Sequence, residues 1–196
     1  MTNTWIEKNA LIQTETVSIY RKYAYQIAER WSDLNGLLKI DLGGGFSKPA
    51  GYLSVDIKNG DVTGDLNKSW PLPDNSVGIL RCHDILEHLQ DKQHVMAEAW
   101  RVLADGGAMM VQVPSALGAG AFMDPTHVTY WVDKSFWYYT RQDQAQYIYN
   151  DKIKFQEFRL ETGYPNDWAK ANNIPYVIAH LYAIKSNKRR PHPVMI

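Results

Sequence analysis

The sequence predicts an α/β fold: a doubly wound, mostly parallel sheet with helices on both faces, a three-layer sandwich. Three observations predict it. Short apolar runs alternate with helical and turn-forming stretches, the pattern of successive βαβ units. An acidic residue or a glycine follows each of the first runs, where an open parallel sheet gathers ligands outside the carboxyl ends of its strands. The chain has 196 residues, 45% of them hydrophobic, enough to bury one substantial core and too short for two full domains.

The elements follow in order. Val17, Tyr20, Tyr23, Ala24, Ile27 and Trp31 recur at spacings of three and four, so an amphipathic helix is expected over Glu15 to Trp31, ended by Asn35 and Gly36. Leu37 to Ile40 reads as a buried strand entering a turn at Gly43 to Gly45. Tyr52 to Ile57 and Val62–Thr63 give the second and third strands, and Val77 to Cys82 the fourth. A helix over His94 to Leu103 is expected to stop at Asp105, Gly106 and Gly107, ahead of a fifth strand over Ala108 to Val113. Residues 116–150 read as an aromatic lid, with Phe136 and Trp137 packing inward. Lys154 to Leu160 and Tyr176 to Ile184 close the fold as two strands. One domain over 1–196 is thus expected: a helical segment at 1–36, a ligand-binding core at 37–115, the lid, and closing strands with a basic tail at 151–196.

Lysine plus arginine (21) balances aspartate plus glutamate (21), so no global field favours a polyanion. The tail KSNKRRPHP is a local basic patch, and its position after the last strand favours a solvated terminus over a phosphate contact. The lone Cys82 excludes an internal disulfide, and the N-terminal stretch lacks the basic and apolar regions of a secretory signal. No apolar run is long enough to span a membrane. A cytoplasmic protein without a membrane partner, monomeric or homodimeric, is the expectation.

The strand-end residues describe one crevice. Gly43 and Gly45 let backbone approach a ligand closely, and Asp56, at the end of the second strand, can accept hydrogen bonds from both hydroxyls of a ribose. A dinucleotide fingerprint would require a third glycine at Lys48, and the short stretch from Gly45 to Tyr52, containing Pro49, hardly admits the helix that would face a pyrophosphate. A nicotinamide-dependent oxidoreductase is therefore the least favoured function.

The series LKIDLGGG, YLSVDI, GDL, WPLPDNSVGILRCHDILEHL and AWRVLADGGAMMVQVPS, from Leu37 to Ser115, resembles the successive signatures of class I S-adenosylmethionine-dependent methyltransferases. It is most similar to small bacterial and phage members with a short first turn and a DPTHV stretch after the fifth strand. The resemblance implies a Rossmann-like methyltransferase fold with S-adenosylmethionine as cofactor. It implies that Asp41, Gly43 and Gly45 hold the methionine end, that Asp56 binds the ribose, that Asp65 and Leu66 flank the adenine, and that His83 and Asp84 close the pocket beside the sulfonium. Ser47 stands where the family's third glycine is usual.

On the acceptor side, Asp124, His127 and Tyr130 in FMDPTHVTYW are the candidate catalytic residues, His127 able to take a proton near neutral pH. His83, Asp84, Glu87 and His88 lie close together in sequence, but nothing in the spacing supplies a metal geometry, and no metal is assigned. The expected substrate is a small molecule or a sugar- or lipid-like group. A nucleic-acid acceptor and a non-catalytic binding module of the same fold compete with it.

Overall fold

The computed structural model describes residues 23–186. The expected first helix is seen as α1 over 23–34. Its expected beginning, with Val17 and Tyr20, and most of the basic tail lie outside the described residues.

Seven strands form one sheet: β1 (Leu38–Leu42), β2 (Leu53–Asp56), β3 (Val62–Thr63), β4 (Val77–His83), β5 (Leu103–Pro114), β6 (Phe155–Gly163) and β7 (Tyr176–Ala183). Their order is β3-β2-β1-β4-β5-β7-β6. The first five run parallel, and β7 lies antiparallel between β5 and β6. The strand order reverses at β1, so the carboxyl ends of β1 and β4 flank a crevice where ligands bind in such sheets.

The pleat divides the core. Leu80, Cys82, Met109 and Val111 join Val95, Met96, Ala99 and Val102 of helix α2 (Lys92–Val102) on one face. Ile79, Ala108 and Met110 meet Ala24 and Ala28 of α1 on the other, the period-two alternation of strands buried on both sides. Between β1 and β2 there is no helix. The chain turns through Ser47 N–H to Gly44 O (2.9 Å) and Tyr52 N–H to Pro49 O (3.2 Å), as the short spacing requires.

Two expectations change. α2 begins at Lys92, before His94, because the Asp91 carboxylate caps it, accepting from the Gln93 and His94 amides at 2.8 and 3.1 Å. Nor do Asp105, Gly106 and Gly107 end it. Leu103 already turns extended (ψ 139°) and pairs with Val77, and the register shift between Val77 and Ile79 takes up the intervening residues as a bulge inside β5.

The stretch after β5 holds three short helices: α3 (Gly120–Met123), α4 (Trp137–Thr140) and α5 (Gln142–Ala145). Phe136 is fully buried and stacks on Trp131 at 5.1 Å. Trp137 is only half-buried, covered by the Arg141 guanidinium at 3.7 Å and the Lys134 ammonium at 5.2 Å. The expected lid is thus divided. Its first part is bonded to the turn that follows β4 and to the residues just after β5, while its second helps line a groove of about 650 Å³ with Tyr139, Gln146, Phe155 and Ile184. That groove lies where β6 begins and β7 ends, the opposite end of the sheet from the crevice. A last short helix, α6 (Asp167–Ala171), links β6 to β7.

Candidate active site

The turn after β1 is pinned to β2 by the Gly43 amide, which donates to Val55 O at 2.8 Å. Its three glycines have different causes. Gly43 has φ +69°, and a Cβ on it would also meet the Ile85 side chain at 2.6 Å, while one on Gly44 would meet Asp41 Oδ2 at 2.3 Å, so the first is glycine for conformation and space and the second for space. Gly45 has φ +48° and open space; a Cβ added there would find its nearest neighbour, Asp56 Oδ2, only at 3.8 Å. A side chain at this position would project toward the carboxylate that the sequence assigns to a ribose. Gly45 thus leaves a cradle beside Asp56 open to a ligand.

Asp56 presents Oδ2 to this cradle while Oδ1 accepts from the Lys58 amide at 3.0 Å, which fixes the carboxylate's orientation. Lys48, at the position where a dinucleotide site would need glycine, pairs with Asp61. Asp61 also accepts from the Ser54 amide at 2.7 Å, and these contacts, Lys48 first, hold its carboxyl down at about 2. Lys48 therefore ties the turn to the β2–β3 connection. Phe46 and Ile57, exposed at 85% and 63%, flank Gly45 and Asp56 in sequence. They are apolar surface at the crevice that the strand-end pattern did not single out.

Asp41 is 1% exposed. The Arg81 guanidinium holds it, one nitrogen lying 2.7 and 2.9 Å from its two oxygens, while burial raises its pKa against that pairing. Its Oδ2 packs against Gly44, leaving no room for a Cβ there, at a glycine that the strand-end pattern leaves unmarked between Gly43 and Gly45. Asp65 is fixed by the Asn67 amide (3.0 Å) and Lys68 (3.5 Å), which lower its pKa, the amide first. The Leu66 side chain is in the core, its carbonyl receiving the Trp70 indole N–H at 3.0 Å. His83 turns to the α1 face, where the Tyr25 hydroxyl lies 2.6 Å from Nε2. Burial first, then Arg81 and His180, bring its pKa down to about 3, so it is neutral. Asp84 follows β4 with φ +50°, its amide on Gln112 O at 3.0 Å.

A second group forms beside this crevice. The carbonyl of Glu87 accepts both the Val128 amide (2.8 Å) and the Thr129 amide (3.0 Å), and Thr129 Oγ1 donates to Leu86 O at 3.0 Å. These bonds fasten the DPTHV loop to the 3-10 turn Leu86–His88. They bring His127 within 3.8 Å of Glu87 and 4.0 Å of Asp124, and its ring edge-on to His88 with centroids 4.9 Å apart. Glu87 is 1% exposed and neither carboxyl oxygen has a hydrogen-bond partner. Burial is the main cause that raises its pKa to about 8, with Asp84 and Asp124 adding to it. Tyr130 stands apart: its ring stacks on Phe122 at 4.7 Å, and it is 44% exposed. The structure thus brings His127 and Asp124 together with Glu87 and His88, and turns Tyr130 outward. No sequence spacing could pair Glu87 with His127; the one signal was a glutamate between the apolar Ile85, Leu86 and Leu89.

The sheet order, the glycine turn and the strand-end carboxylates define a class I methyltransferase fold. Solved structures share it at low identity. A chain of the complex between the Haloferax volcanii Trm112 methyltransferase activator and a candidate methyltransferase superposes with a TM-score of 0.57 at 14% identity, over 79% of this chain and 85% of that one. A S-adenosylmethionine-dependent methyltransferase of Methanosarcina mazei gives 0.51 at 12% identity, over 75% and 92%. The [4+2]-cyclase SpnF gives 0.51 at 13%, over 82% and 81%.

Residues 40–111 match the family model described as a methyltransferase domain. Over 82 residues it is 33% identical to a Mycolicibacterium smegmatis protein described as a probable S-adenosylmethionine-dependent methyltransferase. That alignment covers 40% of this chain and 30% of the length of that relative. Among the described residues no helix is long and apolar enough to cross a membrane.

Proposed function

We propose that the protein binds S-adenosylmethionine at the carboxyl ends of β1, β2 and β4 and transfers its methyl group to a small molecule or a sugar- or lipid-like acceptor. The observation that carries this reading is the open cradle at Gly45 beside the oriented Asp56 carboxylate. Asp56 receives the ribose hydroxyls, and the exposed Ile57 offers an apolar face to the adenine. The Asp65–Leu66 backbone borders the base, because the Leu66 side chain is committed to the core. The amides of Gly43 to Gly45, with Asp41 bracing them from below, lie at the methionine end. The backbone at His83 and Asp84 closes the crevice toward the sulfonium.

The bound sulfonium supplies an electrophilic methyl for in-line displacement, which demands chiefly alignment and a deprotonated acceptor. His127 stands on the acceptor side. Its Nδ1 lies 3.0 Å from Ala121 O and donates to it, so Nε2 keeps its lone pair for the acceptor's proton. Asp124 flanks it at 4.0 Å. Tyr130, stacked on Phe122, borders the entrance.

Calorimetric titration with S-adenosylmethionine tests the donor site, with NADH and an Asp56→Ala variant in parallel. Saturable binding of the donor, weakened about 10- to 100-fold by the variant, is expected from loss of charge-assisted hydrogen bonds. Binding of NADH, or no binding of the donor, overturns the reading. Binding without turnover across acceptor panels would favour the non-catalytic module, an outcome the fold permits because one scaffold hosts many chemistries.

A further inference from the structure

We propose that Glu87, His88 and His127 form a binding site for a divalent transition-metal ion of the zinc class, with Asp124 at its edge. One ligand atom from each of the three lies within 4.8 Å of the others. Two imidazoles and one carboxylate are a donor set suited to zinc or to other first-row divalent ions rather than to magnesium or calcium, which take oxygen ligands.

The independent observation is Glu87 itself. A carboxyl group that is 1% exposed with both oxygens lacking a hydrogen-bond partner is costly unless something compensates it. His127 Nε2 lies 3.8 Å from Glu87 Oε1, outside hydrogen-bond range. A cation between them would satisfy the carboxylate and the ring nitrogen together.

The protons agree with this. His127 spends its N–H on Ala121 O through Nδ1 at 3.0 Å, leaving Nε2, the atom facing Glu87, with its lone pair. Thr126 Oγ1 donates to Asp124 Oδ1 at 2.6 Å, so both the Thr126 hydroxyl oxygen, 3.1 Å from His88 Nδ1, and the Thr126 carbonyl, 3.3 Å away, are acceptors there. His88 therefore carries its proton on Nδ1 and its lone pair on Nε2. Outer contacts of this kind, backbone and hydroxyl acceptors fixing the tautomer of each ring, are those that orient metal-bound histidines. Asp124 Oδ2, 4.0 Å from His127 Nε2, supplies a further oxygen, and the ion would keep a position for water or substrate.

These side chains alone make the site, which stands or falls independently of the methyl-donor reading; an ion on His127 Nε2 would occupy the lone pair offered above to the acceptor's proton, so the metal site and that general-base role exclude each other. The test titrates untagged, chelator-treated protein, residues 1–196, with Zn²⁺ and with Co²⁺. It reads calorimetry, the visible Co²⁺ absorption and the thermal midpoint, with circular dichroism to confirm folding. One ion per chain is expected. A free Zn²⁺ concentration a hundredfold above Kd should raise the midpoint by about 5–10 °C. Glu87→Gln and His127→Gln should each abolish the Co²⁺ band and the thermal shift, while His94→Gln, a histidine outside the cluster bonded to Lys68 O, should leave both intact. Absence of binding, or binding that survives both cluster variants, overturns the proposal. Should Glu87→Gln fail to fold, His127→Gln alone decides it.

Discussion

Removing Arg81 gives a sharp test of how the glycine turn is supported. Asp41 is 1% exposed, and the pairing that offsets its burial comes from Arg81, 26% exposed, at 2.7 and 2.9 Å. Breaking a buried pair from one side costs about 3–5 kcal/mol. Arg81 keeps some solvent contact and Asp41 can escape by taking a proton, so the lower end, about 3 kcal/mol, is expected for Arg81→Met at pH 8. Without the guanidinium, burial raises the Asp41 pKa further in the folded state than Arg81 now allows. A group whose folded pKa lies above its unfolded value lends stability at low pH and loses it as pH rises. The cost of the variant should therefore shrink toward pH 5. Urea unfolding at both pH values measures it, and Arg81→Met/Asp41→Asn should recover most of the loss because no buried charge is left. A cost below about 1 kcal/mol, equal at both pH values, would show that Asp41 does not depend on Arg81.

Gly44→Ala should weaken donor binding at least about tenfold, roughly 1.4 kcal/mol, because its Cβ would lie 2.3 Å from Asp41 Oδ2 and displace the turn; unchanged affinity in calorimetry would remove Gly44 from the bracing. Gly45→Ala meets open space but sits at φ +48°, so its stability cost in urea unfolding should be only about 1–2 kcal/mol, while its methyl group intrudes on the ligand. His83 is neutral with its pKa brought down to about 3 against an ordinary value of 6.5. A depressed folded pKa gives stability present above pH 6.5 and lost as pH falls toward 3. Acid denaturation curves should lose part of their slope in that window in His83→Gln, and identical curves would refute the assignment.

The sheet was legible because β1 to β4 are short apolar runs followed by a small or acidic residue, and they fall close to where the sequence puts them. The crevice at the carboxyl ends of β1, β2 and β4 followed from the same punctuation, and its occupation by the methyl donor is the proposal made above. What misled was local and physical. Asp105 to Gly107 look like a helix stop, yet Leu103 leaves the helix first because pairing with Val77 in the sheet outweighs continuing α2. Gly44 and Gly45 look alike in sequence, and only the packed neighbours show that one is excluded by Asp41 and the other open. The Glu87 cluster was beyond sequence pattern for a different reason. His83, Asp84, Glu87 and His88 are neighbours in sequence, but His83 faces Tyr25 on the other side of the sheet, and His127 arrives from the loop after β5.

The anchoring of that loop also bears on which part of the folded protein opens first. Val128 and Thr129 meet the Glu87 carbonyl across α2 and β5, which lie between them in the chain and carry the segment back over the sheet. The His127 side of the site is thus held to the parallel core by two backbone amides and the Thr129 hydroxyl, whereas β4 and β5 share a full ladder. In native-state hydrogen exchange the amides of Val128 and Thr129 should open at lower free energy than those of β4 and β5, so that this edge can loosen while the sheet stays intact.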